Sequence, residues 1–155
     1  YGFKLHLICN ERGELLNFVL TRANVDDRNT GVFNRLTDNV FGKLYADKGY
    51  ISQTLFDRLF SNGINIVTGL RSNMKNKLMP LYDKLMLRKR SVIESINDEL
   101  KNVAQLVHSR HRSVFNFCMN VLSALIAYSF FEKKPSINID FDIEEKDTTL
   151  LTVLS

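Results

Sequence analysis

Apolar and polar residues interleave from the start of the chain. Phe3, Leu5, Leu7 and Cys9 alternate with Lys4, His6 and Ile8, the period-2 pattern of a half-buried strand, which puts His6 on the polar, exposed side. Asn10 to Gly13 then reads as a turn and Glu14 to Thr21 as a returning strand, so an antiparallel hairpin is predicted. Asn24 to Arg28 form a polar loop in which Asp26 and Asp27 are suited to capping a helix. Val32, Phe33, Leu36 and Val40 follow at helical spacing. Next come a short strand over 43–46 and a helix begun by Ser52, with Leu55, Phe56, Leu59 and Phe60 on its inner face. The Asn62-Gly63 stop precedes a further strand. The order strand, strand, helix, strand, helix, strand predicts a mixed α/β sheet with an antiparallel hairpin at one side.

Beyond Pro80 the pattern is helical through Val107, with Val92, Ile93, Ile96, Leu100, Val103, Ala104 and Val107 in a single stripe. The stretch "HSRHRS" interrupts it. Val114 to Phe131 is apolar nearly all round, which predicts a helix buried in a core or an interface. Pro135 ends that helix, and residues 135–155 read as an acidic, flexible tail behind a single unit over 1–134.

Composition narrows the class. A chain of 155 residues, 45% hydrophobic and 25% charged, is long enough for one domain with its own core. It holds no run of the ~18 to 20 apolar residues a membrane span needs and no basic-then-apolar leader, so a cytoplasmic protein is expected. The chain opens on Tyr1, already inside a strand, which reads as a cut within a longer protein. Cys9 and Cys118 sit in unrelated patterns, without metal-site spacing, and are expected as two separate thiols. Net charge is +4 but uneven. From Arg71 to Arg112 ten Lys/Arg stand against four Asp/Glu, and from Glu132 onward six acids stand against three lysines. A basic centre fits a polyanion partner or an ordinary solvated helix face.

Chemistry concentrates at two carboxylates. Asp47 follows a strand at its carboxyl end, where ligand sites of α/β sheets gather, although the same position suits a turn aspartate. Glu94 lies on the later helix with Arg90, Asp98 and Lys101 within roughly 40° of it, away from the apolar stripe. That face is either a solvated set of i,i+4 pairs or a carboxylate flanked by cations. Two carboxylates from separate elements with basic neighbours suit magnesium-dependent phosphoryl transfer, because Mg²⁺ takes hard oxygen ligands and Lys or Arg hold phosphates.

The segments "YADKGY" and "RKRSVIESINDELKN" resemble the DDE transposases of bacterial insertion sequences, of the insertion-sequence 4-like superfamily. Their signature is Y-x2-R-x3-E-x6-K, and Arg90-x3-Glu94-x6-Lys101 matches its last three members, with Leu87 where the tyrosine would stand. The hairpin "YGFKLHLICNERGELLNFVLTRANVDD" is similar to the same proteins, most closely the family numbered 982, so the likeness runs from Tyr1 to about Pro135. The resemblance implies an RNase H-like mixed sheet flanked by helices, in which three carboxylates hold two Mg²⁺ or Mn²⁺ ions for DNA cleavage and strand transfer. It makes Asp47 the second acid and Glu94 the third, both catalytic metal ligands. The first acid belongs to a strand upstream of the hairpin, so this chain is expected to lack that strand and to be inactive alone. DNA contacts are expected from Arg90, Lys101, Lys48, Arg88, Lys89, Arg110 and Arg112, with a homodimer as a further expectation. A nuclease or resolvase of the same fold, and a non-enzymatic remnant that binds DNA or dimerises, are the alternatives.

Other residues carry weaker signals. His108 and His111 have a spacing open to zinc, and a basic junction near DNA is the simpler reading. Tyr45 and Tyr50 flank Asp47 and are open to packing against a nucleotide or within the core.

Overall fold

A computed structural model describes residues 2–47, 49, 52–69, 79–103, 113–137 and 148–154. Strands β1 (Phe3–Asn10) and β2 (Leu15–Arg22) form the predicted hairpin, paired antiparallel from Phe3 opposite Arg22 to Cys9 opposite Leu15. Gly13 closes the turn at φ 74°. A side chain there is barred twice over: the backbone is left-handed, and a Cβ would run into the Pro135 carbonyl.

Helix α1 (Thr30–Leu36) starts at Asn29, whose side chain accepts from the Gly31 and Val32 amides. This corrects the expected cap. Asp26 instead accepts from its neighbour Arg28, and Asp27 pairs with Lys4 at 2.8 Å. Strand β3 (Gly42–Ala46) runs parallel to β4 (Ile64–Thr68). Between them, α2 (Gln53–Ser61) is capped by Ser52, whose hydroxyl accepts from the Leu55 amide at 3.2 Å. Leu55 and Leu59 are buried, whereas Phe56 and Phe60 are 38% and 65% exposed. The two rings stack on each other outside the core, so the predicted inner face of this helix is narrower than the pattern implied.

The predicted helix over 81–107 is three pieces where it is described: α3 (Leu81–Lys89), α4 (Ser91–Asp98) and a π-helical turn over Glu99–Val103. Arg90 separates the first two with φ −55° and ψ −17°, a 3₁₀-like value that breaks the α ladder. Val92, Ile93, Ile96 and Leu100 keep their stripe and are buried. Helix α5 (Val114–Ser129) buries one side only, through Val121, Ala124, Leu125 and Tyr128. No helix among the described residues is long and apolar enough to cross a membrane.

Strand β5 (Thr148–Leu154) lies within the stretch that read as a tail from sequence, and it enters the middle of the sheet. The strand order is β2-β1-β5-β3-β4. β5 runs antiparallel to β1, Leu5 opposite Leu154, and parallel to β3, Lys43 opposite Thr148. Unpaired inner edges on β1 and β3 would leave rows of unsatisfied backbone groups, and β5 supplies their partners.

With a neighbour on each edge and helices on each side, β1 is buried on both faces rather than one. Leu5, Leu7 and Cys9 join a core formed with α3, α4 and α5. Ile8 joins a second core beneath α1 and α2. His6 is 1% exposed, with Nε2 3.0 Å from Thr21 Oγ1, so the exposed strand histidine expected from alternation is corrected. The molecule is a mixed α/β fold with helices on both faces of a five-stranded sheet.

Candidate functional site

Alternation along β3 puts Lys43, Tyr45 and Asp47 on one face, the face beneath α3. Asp83 in the first turn of α3 and Arg90 just beyond its end are seven residues apart, two turns or about 10.5 Å along one side of a helix. The two series meet at two points. The Tyr45 hydroxyl donates to Asp83 Oδ1 at 2.6 Å, and Lys43 Nζ lies 3.4 Å from the same oxygen. Further along, Arg90 Nη1 lies 3.3 Å from Asp47 Oδ2.

The inner pair is structural in character. Tyr45 is fully buried and Asp83 nearly so, and a buried carboxylate is tolerated only with such partners. Lys43 also lies over the Tyr82 ring, 5.8 Å from its centroid. The outer pair is open to solvent: the Asp47 side chain is 53% exposed and that of Arg90 32%. Asp47 therefore sits at the strand end with a guanidinium against it, reachable by a ligand. Glu94 is exposed on α4, one turn after Arg90, so the helix carries Arg90 and Glu94 to the same side.

The structure thus brings Asp47 and Arg90 into contact and sets Glu94 next along the helix from Arg90. Arg88 is exposed on α3 and Lys101 half-buried in the π turn. That turn closes over five residues rather than four, which shifts the helical phase assumed between Glu94 and Lys101. Lys89 belongs to α3. Lys48, Tyr50, His108, Arg110, His111 and Arg112 lie outside the described residues. Leu87, at the signature's tyrosine position, packs against the α3–α5 core. Among the described residues no group of three or more His, Cys, Asp and Glu stands ready to hold a metal. Cys9 and Cys118 are both free thiols, and burial pushes the Cys9 thiol up to about 12.

Sequence reasoning passed over Asp83, which entered only as one more charge. Its signal was the match of two periodicities, 43/45/47 on a strand and 83/90 on a helix. Tyr45, open to a nucleotide role from sequence, is instead a core residue whose hydroxyl anchors α3 to β3.

A family model described as a transposase DDE domain matches residues 1–114. No curated protein and no solved structure matches the chain.

Proposed function

From the premise that this chain belongs to the transposase DDE domain family, we propose that it carries two of the three carboxylates of a metal-dependent DNA-cleaving and strand-transferring centre, Asp47 and Glu94. The observation that carries this is the ion pair between Asp47 and Arg90, which docks the strand-end carboxylate against the start of the Arg90-x3-Glu94 helix. Family membership makes the protein a transposase-type one with DNA as its partner. The placement of the site is our own reading.

Asp47 and Glu94 are hard oxygen donors of the kind a single Mg²⁺ or Mn²⁺ takes, an ion that accepts one or two carboxylates and fills its remaining positions with water and phosphate oxygens. They do not fit a two-ion centre, which needs a further carboxylate. When bound, the ion supplies Lewis acidity toward a phosphate oxygen. This chain's own residues do the rest. Arg90 neutralises Asp47 while no cation is present. Its guanidinium turns to a DNA phosphate once Asp47 is otherwise engaged. Arg88, Lys89 and Lys101, with Lys48, Arg110 and Arg112, add the positive charge that holds the backbone.

The RNase H-like arrangement is part of the same reading. Residues 1–114 supply β1 to β4 but leave a gap one strand wide between β1 and β3, and β5, from beyond the matched segment, fills it. A strand directly preceding the hairpin would run antiparallel to β1, as β5 does. We read β5 as standing in for it. Extending the register of Tyr45 opposite Leu150 sets Asp47 level with Thr152, and Thr148–Leu154 contains no acid. The stand-in therefore closes the sheet without supplying a ligand. This supports a centre whose further carboxylate is not supplied by β5, and the non-enzymatic remnant stands as the second reading.

The test is DNA cleavage with Mg²⁺ or Mn²⁺, using the whole reading frame and a substrate bearing the element's ends. The expected result is metal-dependent release of 3′-OH ends that Asp47→Asn and Glu94→Gln each abolish without unfolding the protein. Cleavage that survives both substitutions overturns the assignment, and a frame that encodes no strand with an Asp upstream of the hairpin leaves the remnant reading.

A further inference from the structure

Two polar contacts join the α3 side of the sheet to β3, and they differ in strength. The outer one, Arg90 with Asp47, is open to solvent, and such a pair shifts an equilibrium by no more than about fivefold. It is too weak to hold a helix in place. The inner one joins the fully buried Tyr45 hydroxyl to the buried Asp83 carboxylate at 2.6 Å, with Lys43 Nζ 3.4 Å from the same oxygen. A buried hydrogen bond to a charged group shifts an equilibrium by about 10- to 100-fold. The inner contact therefore fixes the geometry, and the outer one follows it.

The other anchors of α3 are of a different kind. Met86 is fully buried and Leu87 packs against the same core, but apolar burial is non-directional and specifies a face of the helix rather than its position along the strand. A hydrogen bond supplies that position, because it weakens steeply with distance and angle. An aspartate in the first turn of a helix is ordinary, since it meets the positive end of the dipole. That role requires neither the burial of Asp83 nor a tyrosine partner.

We propose that Tyr45 and Asp83 are positioning residues for the site at Asp47. They set α3 along β3 so that Arg90, two turns on from Asp83, meets Asp47, and so that Glu94 follows one turn later. The lever is short and stiff: α3 is nine residues long, Asp83 is the third of them, and Arg90 stands directly after the last. A displacement at the anchor is carried to Arg90 and on into α4. The inference rests on the reading of Asp47 and Glu94 as the site, and one of its two readouts is independent of metal.

Nuclear Overhauser contacts report the approach of Arg90 to Asp47, and Mn²⁺ broadening of the Asp47 and Glu94 amide signals reports ion affinity. Tyr45→Phe and, separately, Asp83→Ala are expected to weaken the Arg90–Asp47 contact in a folded chain. Each is also expected to raise the Mn²⁺ needed for half-maximal broadening roughly 10-fold, the lower end for residues that orient a metal ligand. Tyr45→Phe keeps the ring, so it reads the anchor even where Asp83→Ala does not fold. Met86→Ala cuts into the core beneath the same helix and keeps the anchor. It is expected to lower stability at least as much as Tyr45→Phe while leaving both readouts in place. An Arg90–Asp47 contact unchanged by Tyr45→Phe overturns the proposal. An equal loss of that contact in Met86→Ala overturns it as well, because the anchor then acts through stability alone. Wild-type broadening centred away from Asp47 contradicts the metal site, and the Arg90–Asp47 contact then decides the positioning by itself.

Discussion

Tyr45→Phe removes one oxygen from the contact that fastens α3 to the sheet. The ring volume is kept, so the cavity contribution of most core truncations is absent and the change isolates a hydrogen bond. That bond runs from a fully buried hydroxyl to a buried carboxylate at 2.6 Å. Hydrogen bonds to charged groups contribute about 1.5–3 kcal/mol, because their loss strands the charge. Lys43, 3.4 Å from the same oxygen, still screens Asp83 and holds the loss to the lower part of that range, about 2 kcal/mol. For a chain of this length that corresponds to a fall in Tm of about 4–8 °C. Urea unfolding at pH 7 measures it, with the midpoint shifted and the slope unchanged. A double-mutant cycle with Asp83→Asn isolates the pair, and a coupling of about 1 kcal/mol or more is expected. A change below about 0.5 kcal/mol, or no coupling, would refute the reasoning and leave the docking of α3 to its other contacts.

Four further outcomes follow from the same structure. Asp47→Asn and Glu94→Gln alter exposed side chains, so each is expected to change unfolding free energy by no more than about 0.5 kcal/mol in urea melts. Gly13→Ala meets both the left-handed backbone and the Pro135 carbonyl, and a loss of about 2 kcal/mol or more is expected by the same assay. Burial holds the His6 pKa below its ordinary 6.5, with Asp27 opposing that shift and Lys4 adding to it. The unfolded chain therefore binds the extra proton first, and stability is expected to fall as pH drops below 6.5, a slope that His6→Gln flattens. Cys9, with its thiol held near 12, is expected to resist alkylation at pH 8 while half-exposed Cys118 reacts, as mass spectrometry of a time course would show.

Local pattern was enough to read the hairpin, the Ser52 start of α2 and the strand that ends at Asp47, because each is specified by residues adjacent in sequence. The burial of β1 was not. It depends on elements packed against both faces of the sheet, and alternation alone cannot announce that the side carrying His6 and Ile8 is covered as well. Phe56 and Phe60 misled for a related reason: helical spacing marks an apolar face but not how much of it the sheet covers. Asp47, Arg90 and Glu94 were singled out by their likeness to the family's motifs, and the structure adds that Arg90 reaches Asp47. The Tyr45–Asp83 bond spans 38 residues and joins a strand period to a helix period. Its members are unremarkable in either period alone.

Broadening of backbone amide resonances by Mn²⁺ tests the metal assignment most directly, because it reads position as well as binding and needs no turnover. Substoichiometric Mn²⁺ is expected to broaden the signals of Asp47, Arg90 and Glu94 before others, and Asp47→Asn to abolish that pattern in a chain that stays folded. Broadening centred elsewhere, or left unchanged by Asp47→Asn and Glu94→Gln, would contradict a metal site at this strand end.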